Sequence, residues 1–177
     1  MGIFDSQIFQ SMIDTPWISR IRRNHGLEHA TLHILSKRFP KVNMAGHSDV
    51  RGFWILGDVP VEAVQESVEE ALKRMRGGEH DLAVHEHCGT NFVTAGILTG
   101  LAAGGSMFGV GRSFRDKVER LPLAIMMATM ALIFSQPLGF LFQERVTTSG
   151  NPGNLKVVGI NATKRGRINA YRVITQG

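Results

Sequence analysis

Cysteine is almost missing from this chain: Cys88 is the only one in 177 residues. No disulfide can form within the chain, and nothing in it speaks for secretion into an oxidising compartment. A basic leader is missing too. The first seventeen residues, MGIFDSQIFQSMIDTPW, carry two acids and no Lys or Arg, so they do not read as a signal peptide. Gly2 opens a loose match to a myristoylation site, which is discounted because Gln7 follows Ser6 and the chain looks bacterial. The chain also lacks one concentrated basic face. Its net charge of +5 is spread over Arg20–Arg23, Lys37–Lys41, Lys73–Arg76, Arg112–Arg120 and Lys164–Arg172. Nucleic-acid binders gather their cations on one surface, so no nucleic-acid partner is expected. Several of these groups flank apolar stretches, where anionic lipid headgroups account for them more simply. Finally, residues 90–111 and 121–143 contain no charged residue at all.

What is present reads as alternating short elements. Ile3, Phe4, Ile8, Phe9, Met12 and Ile13 draw a helical stripe through segment 1–14, suited to lying either on a membrane surface or on the chain's own core. Thr15-Pro16 is a helix start, and the helix runs to about Arg38, before Pro40. Gly26 inside it costs about 1 kcal/mol relative to alanine and signals a close approach. A strand or two follow in Val42–Leu56, strongest at Phe53-Trp54-Ile55-Leu56. Val61–Met75 is a second helix, buried along Val61, Val64, Val68, Leu72 and Met75, acidic at its start, basic at its end, and closed by Gly77-Gly78. Asp81–His85 is a plausible strand. Leu155–Ile160 and Ile168–Thr175 read as strands around the turn Lys164-Arg165-Gly166-Arg167.

The charge-free stretches read as membrane spans. Asn91–Gly111 is long enough for a hydrocarbon core of ~30 Å at ~1.5 Å per residue. Gly96, Gly100 and Gly104 recur every fourth residue, and Ala124, Ala128, Ala131 and Ser135 answer in Leu121–Phe142. Small residues at that spacing let helices approach closely in lipid, so a tight hairpin is expected, with self-association through the same glycines as a further use. Buried soluble helices are the competing reading. Pro137 and Gly139 are expected to kink or end the second span. Two spans leave both polar parts on one side. The lack of an export signal puts that side in the cytosol, while the four basic residues of Arg112–Arg120 argue the other way.

Chemistry concentrates in two clusters. His25, His29 and His33 follow one another at helical spacing, about 40° round the axis per step. With Glu28 they make His25-Gly-Leu-Glu28-His29, the H-x-x-E-H order of inverted zincins. Two imidazoles on successive turns can share a metal, and an adjacent carboxylate can take a proton from metal-bound water. A solvated histidine face would look the same. His85-Glu86-His87-Cys88-Gly89-Thr90 adds imidazole and thiolate donors of the kind zinc favours. His87 reads as a surface residue, and His47 and His80 take no role.

The stretch Asn24-His25-Gly26-Leu27-Glu28-His29-Ala30 resembles the HGAEHK-type motif of YqhQ-like bacterial membrane proteins, and His85-x-x-Cys88-Gly89-Thr90 before an apolar span resembles their HPxCGT motif. The chain is also similar to a smaller uncharacterised family of bacterial membrane proteins with HxLEHA and CGTN motifs. The first resemblance implies a metal-dependent protein, with His25, Glu28, His29, His85 and Cys88 as the matching positions. The chain departs at Glu86, where the larger family has Pro, and at Ala30, where it has Lys; if that Lys is catalytic, activity here is in doubt while metal binding need not be.

The expected architecture is therefore α+β: a small mixed sheet with two helices, plus a two-helix transmembrane hairpin. Segment 1–14 is an amphipathic lead, 15–90 a cytosolic metal-site part, 91–143 the hairpin and 144–177 a β-hairpin completing the soluble domain. The expected function is a divalent-metal protein, zinc by preference, anchored in a bacterial inner membrane. His25, His29 and His85 are its ligands, Cys88 the fourth, and Glu28 the general base if it hydrolyses. The alternative is a non-catalytic scaffold or assembly subunit of a membrane complex. Haem on His25 or His29 ranks behind both, since an interleaved carboxylate is unusual there.

Overall fold

A computed structural model describes residue 4 and residues 6–177 of the chain. It divides into two compact units, a sheet unit formed by Met1–His85 with Glu144–Gly177 and a helical unit, Glu86–Gln143. Of segment 1–14, residues 1–3 and 5 lie outside the described residues.

The sheet unit begins with helix α1, Gln7–Ile13, capped by the Ser6 hydroxyl accepting from Phe9 N. Helix α2, Pro16–Arg38, starts with proline at its first position, where the missing N–H costs nothing, and stops two residues before Pro40. The tight pair β1, Ala45–Asp49, and β2, Gly52–Leu56, comes next, then helix α3, Val61–Arg76. The C-terminal strands are β3, Lys156–Arg165, and β4, Ile168–Gln176.

The four strands form one sheet in the order β1-β2-β4-β3, and every pairing is antiparallel. The mixed sheet expected from the sequence is corrected on this point: no crossover helix returns one strand parallel to another, because β3 and β4 form a hairpin that adds to the free edge of β2. Phe53 pairs with Val173 and Ile55 with Tyr171, and all four point into the core against α2 and α3. Leu27, Leu35, Val64, Val68, Met75 and Leu155 fill the rest. Each such side chain contributes about 1.5–3 kcal/mol by leaving water. Trp54 lies on the opposite face of the sheet, with the Arg165 guanidinium 4.3 Å and that of Arg172 5.3 Å from its ring centroid. Segment Asp81–His85 is not a strand. His80–Ala83 is a 3-10 turn, with His80 N bonded to Gly78 O at 2.9 Å.

The helical unit consists of α4, Gly89–Ser106, and α5, Phe114–Phe142, packed against each other and joined by a short loop. Ser113 and Asp116 cap α5 reciprocally. Pro137 does not end it; the helix runs on through Phe142 and continues as a π turn, Gln143–Thr147. Among the described residues one helix is long and apolar enough to cross a membrane, the 34 residues Phe114–Thr147. The expectation of two spans is corrected accordingly. Five glycines and three threonines in α4 dilute its hydropathy, so an 18-residue helix free of charge still falls short. The small-residue face of α5 is turned inward at Ala124, Ser135 and Gly139. The glycine face of α4 is not its counterpart: a methyl group at Gly96, Gly100 or Gly104 would meet nothing within 4 Å.

Candidate metal centre

Helix α2 carries the site because its middle is buried. Asn24, Gly26, Leu27, Glu28, His29 and Ala30 are all inaccessible, and His25 is half-buried. His25 and His29 are one turn apart, their ring centroids 4.3 Å from each other at 64°, with a ligating nitrogen of each within 4.8 Å of the other. His85 joins them from beyond the 3-10 turn, its ring centroid 5.8 Å from that of His29. The structure thus brings together three of the histidines expected to ligate.

Backbone carbonyls orient the first two rings. His29 Nδ1 lies 2.8 Å from Ala83 O, and His25 Nδ1 lies 3.0 Å from Thr147 O. A carbonyl oxygen can only accept, so each Nδ1 must carry the proton. In a neutral imidazole Nε2 then holds the lone pair. This is the arrangement metal-binding histidines use, one nitrogen donated to a carbonyl and the other left to the ion.

Gly26 makes the second of these bonds sterically feasible. A β-carbon there would run into the backbone carbonyl of Ser149 and come within 3.2 Å of Ala83 Cβ. Ser149 N also donates to Arg22 O at 3.0 Å. Residues 147–149 therefore cross α2 directly over the glycine, which is the close approach the sequence foretold.

Glu28 is turned toward the sheet. It accepts a hydrogen bond from the Ser48 hydroxyl, and the missing side chain of Gly46 leaves the space it occupies on β1. Burial pushes its carboxyl above the ordinary glutamate range, opposed by the Ser48 bond and by the nearby His25. For a carboxyl raised in the folded state the native chain binds more protons than the unfolded one, so stability falls as pH rises through the raised value. In metal-stripped protein, Glu28→Gln is thus expected to melt higher than the parent at neutral pH, by about 2–4 °C per kcal/mol relieved. The difference should vanish below the ordinary glutamate range, and melting curves across pH check both halves.

His33, one turn beyond His29, is not held in this cluster. Burial first, then Lys37 and Arg74, keep its imidazole below the ordinary histidine range. His47, His80 and His87 are exposed. Cys88 belongs to the helical unit, where it is buried and caps α4 by accepting from Thr90 N at 3.4 Å. It stands three positions after His85 in the chain, a tether of at most about 11 Å between Cα atoms.

One residue went unassigned in the sequence. Asn24 is fully buried, donates to Asp49 O at 2.8 Å and accepts from the Thr175 hydroxyl at 2.7 Å. It ties α2 to β1 and β4 immediately before the histidines. The only signal was an asparagine inside a helix, where its propensity is poor.

The sequence profile of a family described as a domain of unknown function, DUF6391, matches residues 20–160. An uncharacterised protein of the cyanobacterium Picosynechococcus sp. is 30% identical over 157 residues, covering 76% of this chain and 77% of its own. No solved structure matches. The matched stretch takes in most of α2, strands β1 and β2, α3, the whole helical unit and the start of β3, and on that extent the chain belongs to the DUF6391 family.

Proposed function

We propose that this protein is a membrane-anchored metalloprotein in which His25, His29 and His85 bind zinc or a similar divalent ion through imidazole nitrogens, with Cys88 as a fourth donor. One observation carries this reading: His25 and His29 each bring a ligand nitrogen within 4.8 Å of the other's, with both rings oriented by a backbone carbonyl at Nδ1. The likeness of the two motifs to those of YqhQ-like proteins points the same way, and the cyanobacterial relative fits a bacterial source. Anchoring rests on Phe114–Thr147.

A bound ion of this kind supplies Lewis acidity and lowers the pKa of a coordinated water. Hydrolysis would need one coordination position left to water and a proton acceptor beside it. Glu28 is the residue for that task, a buried carboxyl with raised proton affinity one helical turn from His25. With Cys88 closing the shell, the site would be structural, and Glu28 would only anchor α2 to β1.

Elemental analysis of detergent-purified protein tests the reading. About one metal per chain is expected, the occupancy of a single closed site, and it should be lost in the His25→Ala/His29→Ala variant. No metal in either protein would overturn it. Metal-dependent hydrolysis lost in Glu28→Gln with metal retained would separate enzyme from structural site.

A non-catalytic assembly role is the second reading. The open glycine face of α4 favours it, with Phe92, Val93, Ile97 and Leu101 exposed beside Gly96, Gly100 and Gly104. A membrane complex recovered intact from the double-histidine variant would support it.

A further inference from the structure

The sheet unit carries an apolar surface its own core does not use. On α1, Phe9 and Ile13 turn inward while Ile8 and Met12 are 77% and 58% exposed. At the start of α2, Trp17 is 73% exposed, with Ile18 and Ile21 also open. Five large apolar side chains within fourteen residues of chain are uncovered, although unpaired apolar surface of this kind is normally reserved for a partner or a membrane.

We propose that α1 and the first two turns of α2 form a docking face that lies in the plane of an anionic bilayer, at headgroup depth. The proposal rests on the membrane anchoring read above and goes beyond it. Two observations favour lipid over a protein partner. First, the charge around the face is positive. Arg20 donates to Thr175 O, Arg22 to Arg145 O and Arg23 to Asn154 Oδ1. These acceptors are uncharged oxygens, so they fix the guanidinium groups without neutralising them. Asp14 bears on Arg22, and among the described residues around the face Arg20, Arg22 and Arg23 outnumber it, an excess of cations to meet anionic headgroups. Second, the face is a short amphipathic helix followed by an exposed tryptophan, the composition that partitions into the interface.

Trp17 reports on this directly, because Trp54 is the only other tryptophan. The full chain with Trp54→Phe is reconstituted into vesicles of phosphatidylglycerol and phosphatidylcholine containing lipids brominated near the headgroup end of the acyl chain. Trp17 emission is expected to fall about twofold with brominated lipid and to resist iodide, as for an indole at the interface. Protection should weaken when phosphatidylcholine replaces phosphatidylglycerol. Free access of iodide to Trp17, with no lipid quenching and the chain still in the carbonate-washed vesicles, would overturn the docking face and leave the anchor standing. Protection from iodide without lipid quenching, in a chain that sediments as a dimer, would also overturn it by showing that a second copy covers the face. Release of the chain by carbonate would overturn the anchor, and the docking face with it.

Discussion

Adding zinc to metal-stripped protein is expected to raise its thermal midpoint by about 5–10 °C at a hundredfold excess over the dissociation constant. The figure follows from linkage. A ligand that binds only the folded state contributes about 2.7 kcal/mol at that excess, and in a chain of this size each kcal/mol moves the midpoint about 2–4 °C. The effect belongs to residues pinned in the fold: His25 and His29 are held by carbonyls from Thr147 and Ala83, more than fifty residues away in each case. The unfolded chain has no such arrangement, so the ion discriminates strongly between the two states. His25→Ala/His29→Ala should show no shift at the same zinc concentration. A scan of melting temperature against zinc for both proteins checks this, and equal shifts in the two would place the ion elsewhere.

Gly26→Ala is expected to destabilise the protein by about 2 kcal/mol, read as a lowered midpoint in denaturant or heat. The sign is the informative part. Helix propensity alone predicts about 1 kcal/mol of stabilisation, because alanine replaces glycine within a helix. The tertiary structure predicts the opposite. The new methyl group would meet the Ser149 carbonyl, backbone that cannot rotate away as a flexible side chain would, with Ala83 Cβ close on the other side. Overpacking of this kind costs about 1–3 kcal/mol. Lifting residues 147–149 off α2 would also pull Thr147 O away from His25 Nδ1, so zinc affinity should fall together with stability. A stabilised variant would mean that the crossing over Gly26 is not maintained in solution.

Much of the local structure was legible in the residues. Proline at positions 16 and 40 bounds α2, and the apolar spacing of Val64, Val68, Leu72 and Met75 is the buried stripe of α3. The β-rich runs around Phe53 and Val173 became strands, and the His25–Glu28–His29 spacing put both imidazoles on one helix face. Each of these depends on periodicity within one element, which a single sequence carries. The failures are of another kind. Asp81–His85 has strand-like residues, yet it pairs with no strand and holds a 3-10 turn whose Ala83 carbonyl meets His29. The mixed sheet became antiparallel because β4 docks on β2. The glycines of α4 were read as facing the alanines of α5, yet the spacing is the same for a stripe turned toward a neighbour and for one turned away.

The sequence by itself determined most of the elements, the helical pairing of His25 with His29, and one of the two spans it was read to hold, the stretch around 121–143, since each is a property of adjacent residues. Only the tertiary structure decided which nitrogen of each imidazole meets a backbone carbonyl, because the acceptors, Ala83 O and Thr147 O, are backbone atoms common to every residue type. It likewise decided that Glu28 faces Ser48 on β1 and is buried there. Contacts between segments far apart in the chain depend on shape and packing, which leave no periodic trace in the order of residues.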